Sequence, residues 1–381
     1  MTSTTTLSLH KSLDDGIDAA QWDQLVHHHP FMTYGFLQAL HHTGCASPRT
    51  GWTPLCLTLT RDDQLCGAVM LYLKRHSRGE FVFDQAWANA YAQHGLAYYP
   101  KLLGAVPFTP VPGPRLLAHS HEDRVTLARG AIALARQNEL SSLHFLFPDE
   151  DSKRALIEAG YLLREDVQFH WHNAGYASME AFLATLSREK RKKVLQDRKR
   201  VRAAGVTFEW RTGAQITPDD LDFFYGCYEV TYLEHGNAPY LSREAFAQIH
   251  AALPDAIVLI VATQATERVA AALCITGPRA LYGRYWGATR FISGLHFETC
   301  YLQSIEYCIT HGIARFEGGA QGEHKMARGL LPVRTFSCHW VGDMQFADAI
   351  ENYLDRERAA VEEYRSALEA HTPFKRPDGA G

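Results

Sequence analysis

The sequence lacks most of the signatures that assign a function directly. Its eight cysteines (Cys45, Cys56, Cys66, Cys227, Cys274, Cys300, Cys308 and Cys338) contain no CxxC pair and no regular spacing, which excludes a zinc ribbon and a disulfide scaffold. They read as reduced, mostly buried thiols. No run of about 18 apolar residues occurs, and the start MTSTTTLSLHKSLDDG has no basic segment followed by an apolar one. No membrane span or leader is therefore expected, and the reading is cytoplasmic. The net charge of only -4 excludes a global polyelectrolyte character, so any anion site must come from local clustering. The chain also has no GxxxxGK[ST], no strand-bound GxGxxG and no HExxH, which removes the common phosphate, dinucleotide and zinc-hydrolase readings.

What is present fits a soluble protein of two domains: 381 residues, 46% hydrophobic and 21% charged. In the first half, helical patterns around Pro30 precede the hairpin "WTPLCLTLTRDDQLCGAVMLYLKRH". After a Pro/Gly-rich stretch, "RVTLARGAIALARQN" reads as a helix, "SSLHFLFP" as a strand, "DSKRALIEAG" as a helix and "QFHWHN" as a strand. The second half repeats the order with helices at about 177–204 and 218–232 and strands "AIVLIVATQ", "RVAAALCIT" and "ALYGRYWGA". The helix "LHFETCYLQSIEYCITHG" and the strand "IARFEGG" then follow. This predicts an α/β (α+β) fold with domains over 1–175 and 176–381, although no residue-level repeat is visible. A charged helix over 345–369 is expected to pack on the second domain.

Residues 188–202, "REKRKKVLQDRKRVR", hold nine Lys or Arg against two acidic residues, with Leu186, Val194 and Val201 spaced for one buried stripe. Like charges at i,i+4 repel, so such a helix calls for a compensating anion, either RNA or a nucleotide-containing donor. The plain alternative is a solvated surface helix. No aromatic residue is interleaved, so base stacking by this segment is not expected.

The second cluster lies in "LYGRYWGA" and "FEGGAQGEHKMARG". Period-two alternation puts Tyr282, Arg284 and Trp286 on one strand face and Tyr285 on the other, a binding surface or a half-buried strand. In the following helix His296 and Gln303 share a face, with Glu298 and Glu306 elsewhere. Glu317 at a strand end, with Glu323 and His324, could move a proton on an amine. A metal site is not expected, for want of ligand spacing. The bland reading is a turn shaped by Gly318, Gly319 and Gly322 whose charged side chains cap the next helix.

In their order, "KRKKVLQDRKRVRAAGV", "FYGCYEVTYLEHGNAPYL", "LYGRYWGA" and "IARFEGGAQGEHKMARGLLPVRTFSCHW" resemble the FemAB-like family, the Fem branch of the GNAT acyltransferases. The first half joins through "HPFMTYGFLQAL", "PFTPVPGPRLL" and "QFHWHN". The resemblance implies tandem GNAT-like domains, each a mixed, mostly antiparallel sheet flanked by helices, the first degenerate or structural. It implies amide formation on a small-molecule or peptide amine acceptor, such as a peptidoglycan precursor. The co-substrate would be aminoacyl-tRNA or acyl-CoA, with no permanently bound cofactor. The match falls on residues 316–319, on residues 325–329 and on the basic helix; joined to the residues read above, it leaves Glu317, Glu323, His324 and Lys325 as the candidate catalytic residues. Arg284, Trp286, His296, Gln321 and Arg328 are candidates for substrate binding, and Arg191, Lys192, Arg198 and Lys199 for donor phosphates. "RFISGLH" departs from the [QR]xxGx[GA] loop that grips CoA pyrophosphate at a helix N-terminus, which favours tRNA. The rival class is a non-catalytic module that binds a peptide, amino-sugar or RNA.

Overall fold

The computed structural model describes residues 5–319 and 322–375, which form two units: residues 1–166 with 334–363, and 167–333 with 364–381. In the first unit the chain runs β1 (Thr5–His10), α1 (Ala19–Leu25), α2 (Tyr34–His42), β2 (Trp52–Arg61), β3 (Gln64–Lys74) and α3 (Gln85–Gln93). It continues through β4 (Lys101–Gly104), β5 (Leu117–Ala118), α4 (His121–Gln137), β6 (Ser142–Leu146), α5 (Glu150–Glu158) and the start of β7 (Leu162–His172). Strands β1 to β4 pair antiparallel in sequence order, and β4 then pairs parallel with β6. Helix α4 starts on Ser120, whose side chain accepts from Asp123 N–H, and carries Glu122 and Asp123 in its first turn, where the helix dipole favours anions. Its Ala128, Ala131 and Ala135 are small enough to let it lie close on Leu59, Val69, Leu71 and Phe145 of the sheet. Burying these side chains stabilises the unit by roughly 1.5–3 kcal/mol for each large aliphatic or aromatic residue.

This unit also buries charge. Lys101 and Lys74 are fully buried, as are Glu80 and Asp84 nearly so. The Lys101 ammonium donates to Glu80 Oε2 at 2.7 Å, to Ser77 Oγ at 2.8 Å and to Asp84 Oδ2. Tyr98 donates to the same Asp84 oxygen at 2.6 Å and lies 3.0 Å from His144 Nε2; His144 in turn meets His339 ring nitrogen to ring nitrogen at 2.8 Å. Burial alone would depress Lys101, but Glu80 and Asp84 together raise it, so the ammonium stays charged.

The second unit contains the rest of β7, then α6 (Met179–Thr185), α7 (Arg188–Ala203), β8 (Val206–Thr212), α8 (Pro218–Glu234), α9 (Arg243–Ala252), β9 (Ile257–Gln264), β10 (Glu267–Thr276) and β11 (Ala280–Ala288). A helix follows as α10 (Leu295–Phe297), a π-helical stretch Glu298–Leu302 and α11 (Gln303–Thr310), and β12 (Arg315–Glu317) closes the run. Strands β8, β9, β10 and β11 pair antiparallel, β11 pairs parallel with β12, and β12 pairs antiparallel with β7. Helix α8 rests directly on β11: a Cβ on Gly287 would sit 1.9 Å from the Cys227 carbonyl oxygen, so only glycine allows the approach.

The two units share a local device. In each, a strand is followed by a helix and then by a parallel strand, and a glycine of the first strand faces a phenylalanine of the second. A Cβ on Gly104 would meet the Phe145 ring at 2.3 Å, and one on Gly283 would meet Phe316 at 3.1 Å. Each unit thus carries mixed, mostly antiparallel strands flanked by helices, as the expected α/β (α+β) class requires.

Two elements remain, β13 (Leu331–Val341) and α12 (Met344–Ala370). Residues 334–363 group with the first unit, so the division differs from the expected break at 175/176. The α12 helix was expected on the second domain, yet its Ile350 and Leu354 pack with Trp87, Ala88, Tyr91 and Tyr98 of the first. Its last turns, from Tyr364 on, group with the second unit. All eight cysteines are free, and among the described residues no helix is long and apolar enough to cross a membrane.

Candidate functional site

The β11–β12 ladder is short. It pairs Ala280 with Arg315, Leu281 with Phe316 and Tyr282 with Glu317, after which β12 ends while β11 continues to Ala288. Gly318 and Gly319 follow. A Cβ on Gly318 would lie 2.9 Å from Leu330 and 3.2 Å from Tyr301, and Gly319 has φ +88°, so the chain can turn here only without side chains.

Glu317 is 3% exposed. Arg315 Nε donates to its Oε1 at 2.8 Å, whereas its buried Oε2 has no hydrogen-bond partner among the described residues. The ring of His170, the cross-strand partner of Glu317 in β7, stands 3.7 Å from that oxygen. Burial pushes the Glu317 carboxyl up to about 7 against the opposing pull of Arg315. Burial pushes His170 down to about 3, so that imidazole is neutral. Lys325, also buried, donates to the Gly319 carbonyl at 2.8 Å, and burial lowers its ammonium to about 8. A carboxylate able to take a proton near neutrality and an ammonium able to share positive charge thus flank one glycine turn.

The other candidates fall into a separate group. Glu323 and His324 are exposed in the 3-10 turn Glu323–Arg328, and Glu323 accepts from Tyr364 Oη at 2.7 Å. They line an open cleft of about 560 Å³ with Lys190, Met326 and His371. The expected grouping of Glu317 with Glu323, His324 and Lys325 on one floor is therefore split: Glu317 and Lys325 lie inside and the other pair outside. Arg328 is buried, its guanidinium stacked 3.6 Å over the Phe297 ring and donating to the His324 carbonyl at 3.0 Å. His296 sits among Trp286 at 5.1 Å and Tyr301 at 5.7 Å, and burial holds it down to about 4. Gln321 lies outside the described residues.

Two sequence-based faces are corrected by irregular backbone. Leu273 pairs with Tyr285 and Cys274 with Gly283, which makes Arg284 the extra residue of a β-bulge. Its guanidinium lies 5.2 Å over the Tyr285 ring, whereas Trp286 packs on His296, so the expected Tyr282, Arg284 and Trp286 face does not hold. Similarly, the π-helical stretch shifts the phase of its helix. Gln303 donates to Glu298 Oε1 at 3.0 Å instead of sharing a face with His296.

In α7, Val194 and Val201 are buried as their spacing predicts. The structure separates Arg198 from the other basic candidates, because its guanidinium turns inward to Glu298 at 3.1 Å and Glu306 at 2.6 Å. Arg191 is half-buried, and Lys192 and Lys199 are exposed with no carboxylate within 4.0 Å among the described residues. Asp197 of the same helix covers the start of the β11–β12 helix: a Cβ on Gly294 would lie 3.4 Å from the Asp197 carbonyl oxygen and 3.6 Å from its Cβ. Among the described residues, no group of three His, Cys, Asp or Glu is placed to hold a metal. Sequence reading passed over His170, which the fragment "QFHWHN" marks only as a strand residue, and over Arg315.

The fold is similar to the crystal structure of FemX, with 12% identity over 90% of this chain and all (100%) of that one and a TM-score of 0.56. It is also similar to L-PGS from Bacillus licheniformis, at 9% identity over 89% of this chain and 97% of that one, TM-score 0.52. A third similar structure is the C-terminal domain of a putative lysylphosphatidylglycerol synthetase from Agrobacterium fabrum, at 10% identity over 76% and 85%, TM-score 0.50. No curated protein matches the sequence. Residues 14–376 match the sequence profile of the FemAB-like family, described as peptidoglycan biosynthesis/recognition. Because that match spans nearly the whole chain, the protein belongs to the FemAB-like family.

Proposed function

We propose that the chain is a Fem/GNAT-type acyltransferase that forms an amide on an amine acceptor, with Glu317 as general base. The observation that carries this is the buried Glu317 carboxylate, with one unpartnered oxygen, where β12 leaves β11. A carboxyl held near 7 takes a proton from an ammonium acceptor at neutral pH, freeing the nitrogen lone pair to attack an acyl carbon. The Lys325 ammonium, 2.8 Å from the Gly319 carbonyl, supplies positive charge for the oxyanion that forms. The leaving oxygen or sulfur then takes up a proton as the tetrahedral intermediate collapses.

Aminoacyl-tRNA is the favoured donor over acyl-CoA. The helix start at Gly294 and Leu295, where a GNAT pyrophosphate would sit, is covered by the α7 backbone at Asp197, which leaves a diphosphate little access there. The outward Lys192 and Lys199, with Arg191, suit a nucleic-acid backbone. The acceptor class is the amine of a peptidoglycan precursor, as the family description suggests.

Single-turnover transfer from radiolabelled aminoacyl-tRNA, or acyl-CoA in parallel, to an amine-bearing cell-wall peptide tests this. Glu317→Gln is expected to slow transfer by about 10²- to 10⁴-fold while leaving the fold intact. Binding of the peptide without transfer from either donor would instead identify a recognition module.

A further inference from the structure

The basic helix carries no aromatic residue of its own, but the fold supplies two from the next strand. Between α7, β8 and the π-helical stretch lies a cleft of about 500 Å³ lined by Arg198, Arg202, Phe208, Trp210, Glu298 and Gln303, among others. Trp210 is half-buried and held rigidly: its Nε1 donates to Gln303 Oε1 at 3.1 Å, and its ring meets Tyr307 edge-on at 5.3 Å. Glu298 is 3% exposed; its Oε1 accepts from Arg198 at 3.1 Å and Gln303 at 3.0 Å, while its Oε2 is buried without a partner. A buried carboxylate oxygen with no donor is costly unless a ligand N–H completes it. It sits in a π-helical turn, a local irregularity often kept at functional sites. Arg202 is exposed at the rim, next to the cationic face of α7.

We propose that this cleft receives one unstacked nucleobase of the nucleic-acid donor, stacked on Trp210, with its exocyclic amino group donating to Glu298 Oε2. Carboxylates accept from the cytosine N4 amino group, and the same geometry admits the adenine N6 amino group, whereas uracil presents the acceptor O4 in place of an exocyclic amino group and leaves only its N3–H to donate. Aromatic stacking gives affinity at any sequence, the acceptor gives preference for amino-bearing bases, and Arg202 at the rim holds the adjoining phosphate. This rests on the tRNA-donor reading and adds to it the place and kind of base contact.

Fluorescence anisotropy with labelled hexanucleotides of C, A and U, and with intact tRNA, tests the proposal. C and A hexamers are expected to bind the wild type several-fold more tightly than U. Trp210→Ala is expected to cost roughly 5- to 150-fold in C and A affinity, with an unchanged salt dependence, while Trp210→Phe retains most of it. Glu298→Gln is expected to shrink the preference over U; because that change also touches Arg198, the Trp210 pair of variants carries the decision. Equal binding of all three hexamers together with indifference to Trp210→Ala overturns the base site. If intact tRNA binds and Trp210→Ala leaves it unaffected, the base site falls and the tRNA donor stands. If neither hexamers nor tRNA bind, both fall.

Discussion

The parallel strand pairs β4/β6 and β11/β12 each set a glycine against a phenylalanine, Gly104 directly opposite Phe145 and Gly283 two residues beyond the partner of Phe316, and end differently. Aligning Phe145 with Phe316 puts Leu146 in the position of Glu317. The first pair runs out through Leu146, Phe147 and Pro148, all buried, and the second through Glu317, Gly318 and Gly319. The phenylalanine is what the sheet and its helix require, so both units keep it. The residue after it is where they part: an apolar side chain seals one strand end, and a carboxylate with two glycines opens the other to chemistry. The buried charges differ in the same sense. In the first unit Lys101 answers two carboxylates at once, while in the second the Lys325 ammonium bonds a backbone carbonyl; a buried carboxylate oxygen without a hydrogen-bond partner among the described residues occurs in both, on Glu80 and Asp84 as on Glu317. An ammonium held between two carboxylates specifies structure, and one bonded to a backbone carbonyl is available to a substrate.

The comparison breaks most visibly at Lys101. Lys101→Met would leave Glu80 and Asp84 buried without their ammonium, and a loss of roughly 3–5 kcal/mol is expected in urea unfolding. At the matching end of the molecule, Glu317→Leu makes the second strand end copy the first. Folding is expected to persist, with transfer falling by at least the 10²-fold expected for Glu317→Gln. If Glu317→Leu unfolds the protein while Lys101→Met is tolerated, the assignment of structure to one cluster and chemistry to the other is reversed.

Titration sharpens the contrast further. Transfer by the wild type is expected to rise with pH through about 7 as Glu317 ionises and to fall above about 8 as the Lys325 ammonium loses its proton, a bell-shaped profile. Over the rising limb, stability moves the opposite way. The folded carboxyl holds its proton up to about 7 while the unfolded one releases it near 4.5, so the folded state binds more protons in that window. Its contribution therefore declines as pH rises from 4.5 to 7, and the penalty is complete above 7. Glu317→Gln is expected to match the wild type in thermal midpoint at pH 4 and exceed it at pH 8. Taking the difference between the two proteins cancels Glu80, whose carboxyl burial pushes up in the same direction.

The smallest effect concerns the shared packing itself. Gly104→Ala places a methyl 2.3 Å from the Phe145 ring and Gly283→Ala only 3.1 Å from Phe316. The first is expected to cost about 1–3 kcal/mol and the second less than about 1 kcal/mol, read by chemical denaturation of both variants.

Much of this was legible in the chain. The hydrophobic periodicities of "RVTLARGAIALARQN" and of the strands around 257–288 gave the elements, because one buried face imposes its period on the sequence. The carboxylate at a strand end followed by glycines pointed to Glu317, and the spacing of Val194 and Val201 oriented α7. What failed did so where the backbone leaves its regular period: the bulge at Arg284 and the π-helical stretch before Gln303 each shift the phase that a fixed repeat assumes. His170 was invisible as a site residue because nothing in "QFHWHN" records that β12 will pair beside it. Trp210 was missed with its whole strand, although Val206, Phe208 and Trp210 alternate with polar residues as a half-buried strand requires.

By itself, then, the sequence determined the order of elements, the family and the residue types at the strand end, for these depend on local periodicity and on strings of adjacent residues. Only the tertiary structure decided which charges are paired: Arg198 taken inward by Glu298 and Glu306, Glu317 left with one bare oxygen beside His170, and Trp210 set against the basic helix. Pairing and burial are properties of side chains brought together from distant parts of the chain, and no window of sequence contains both partners.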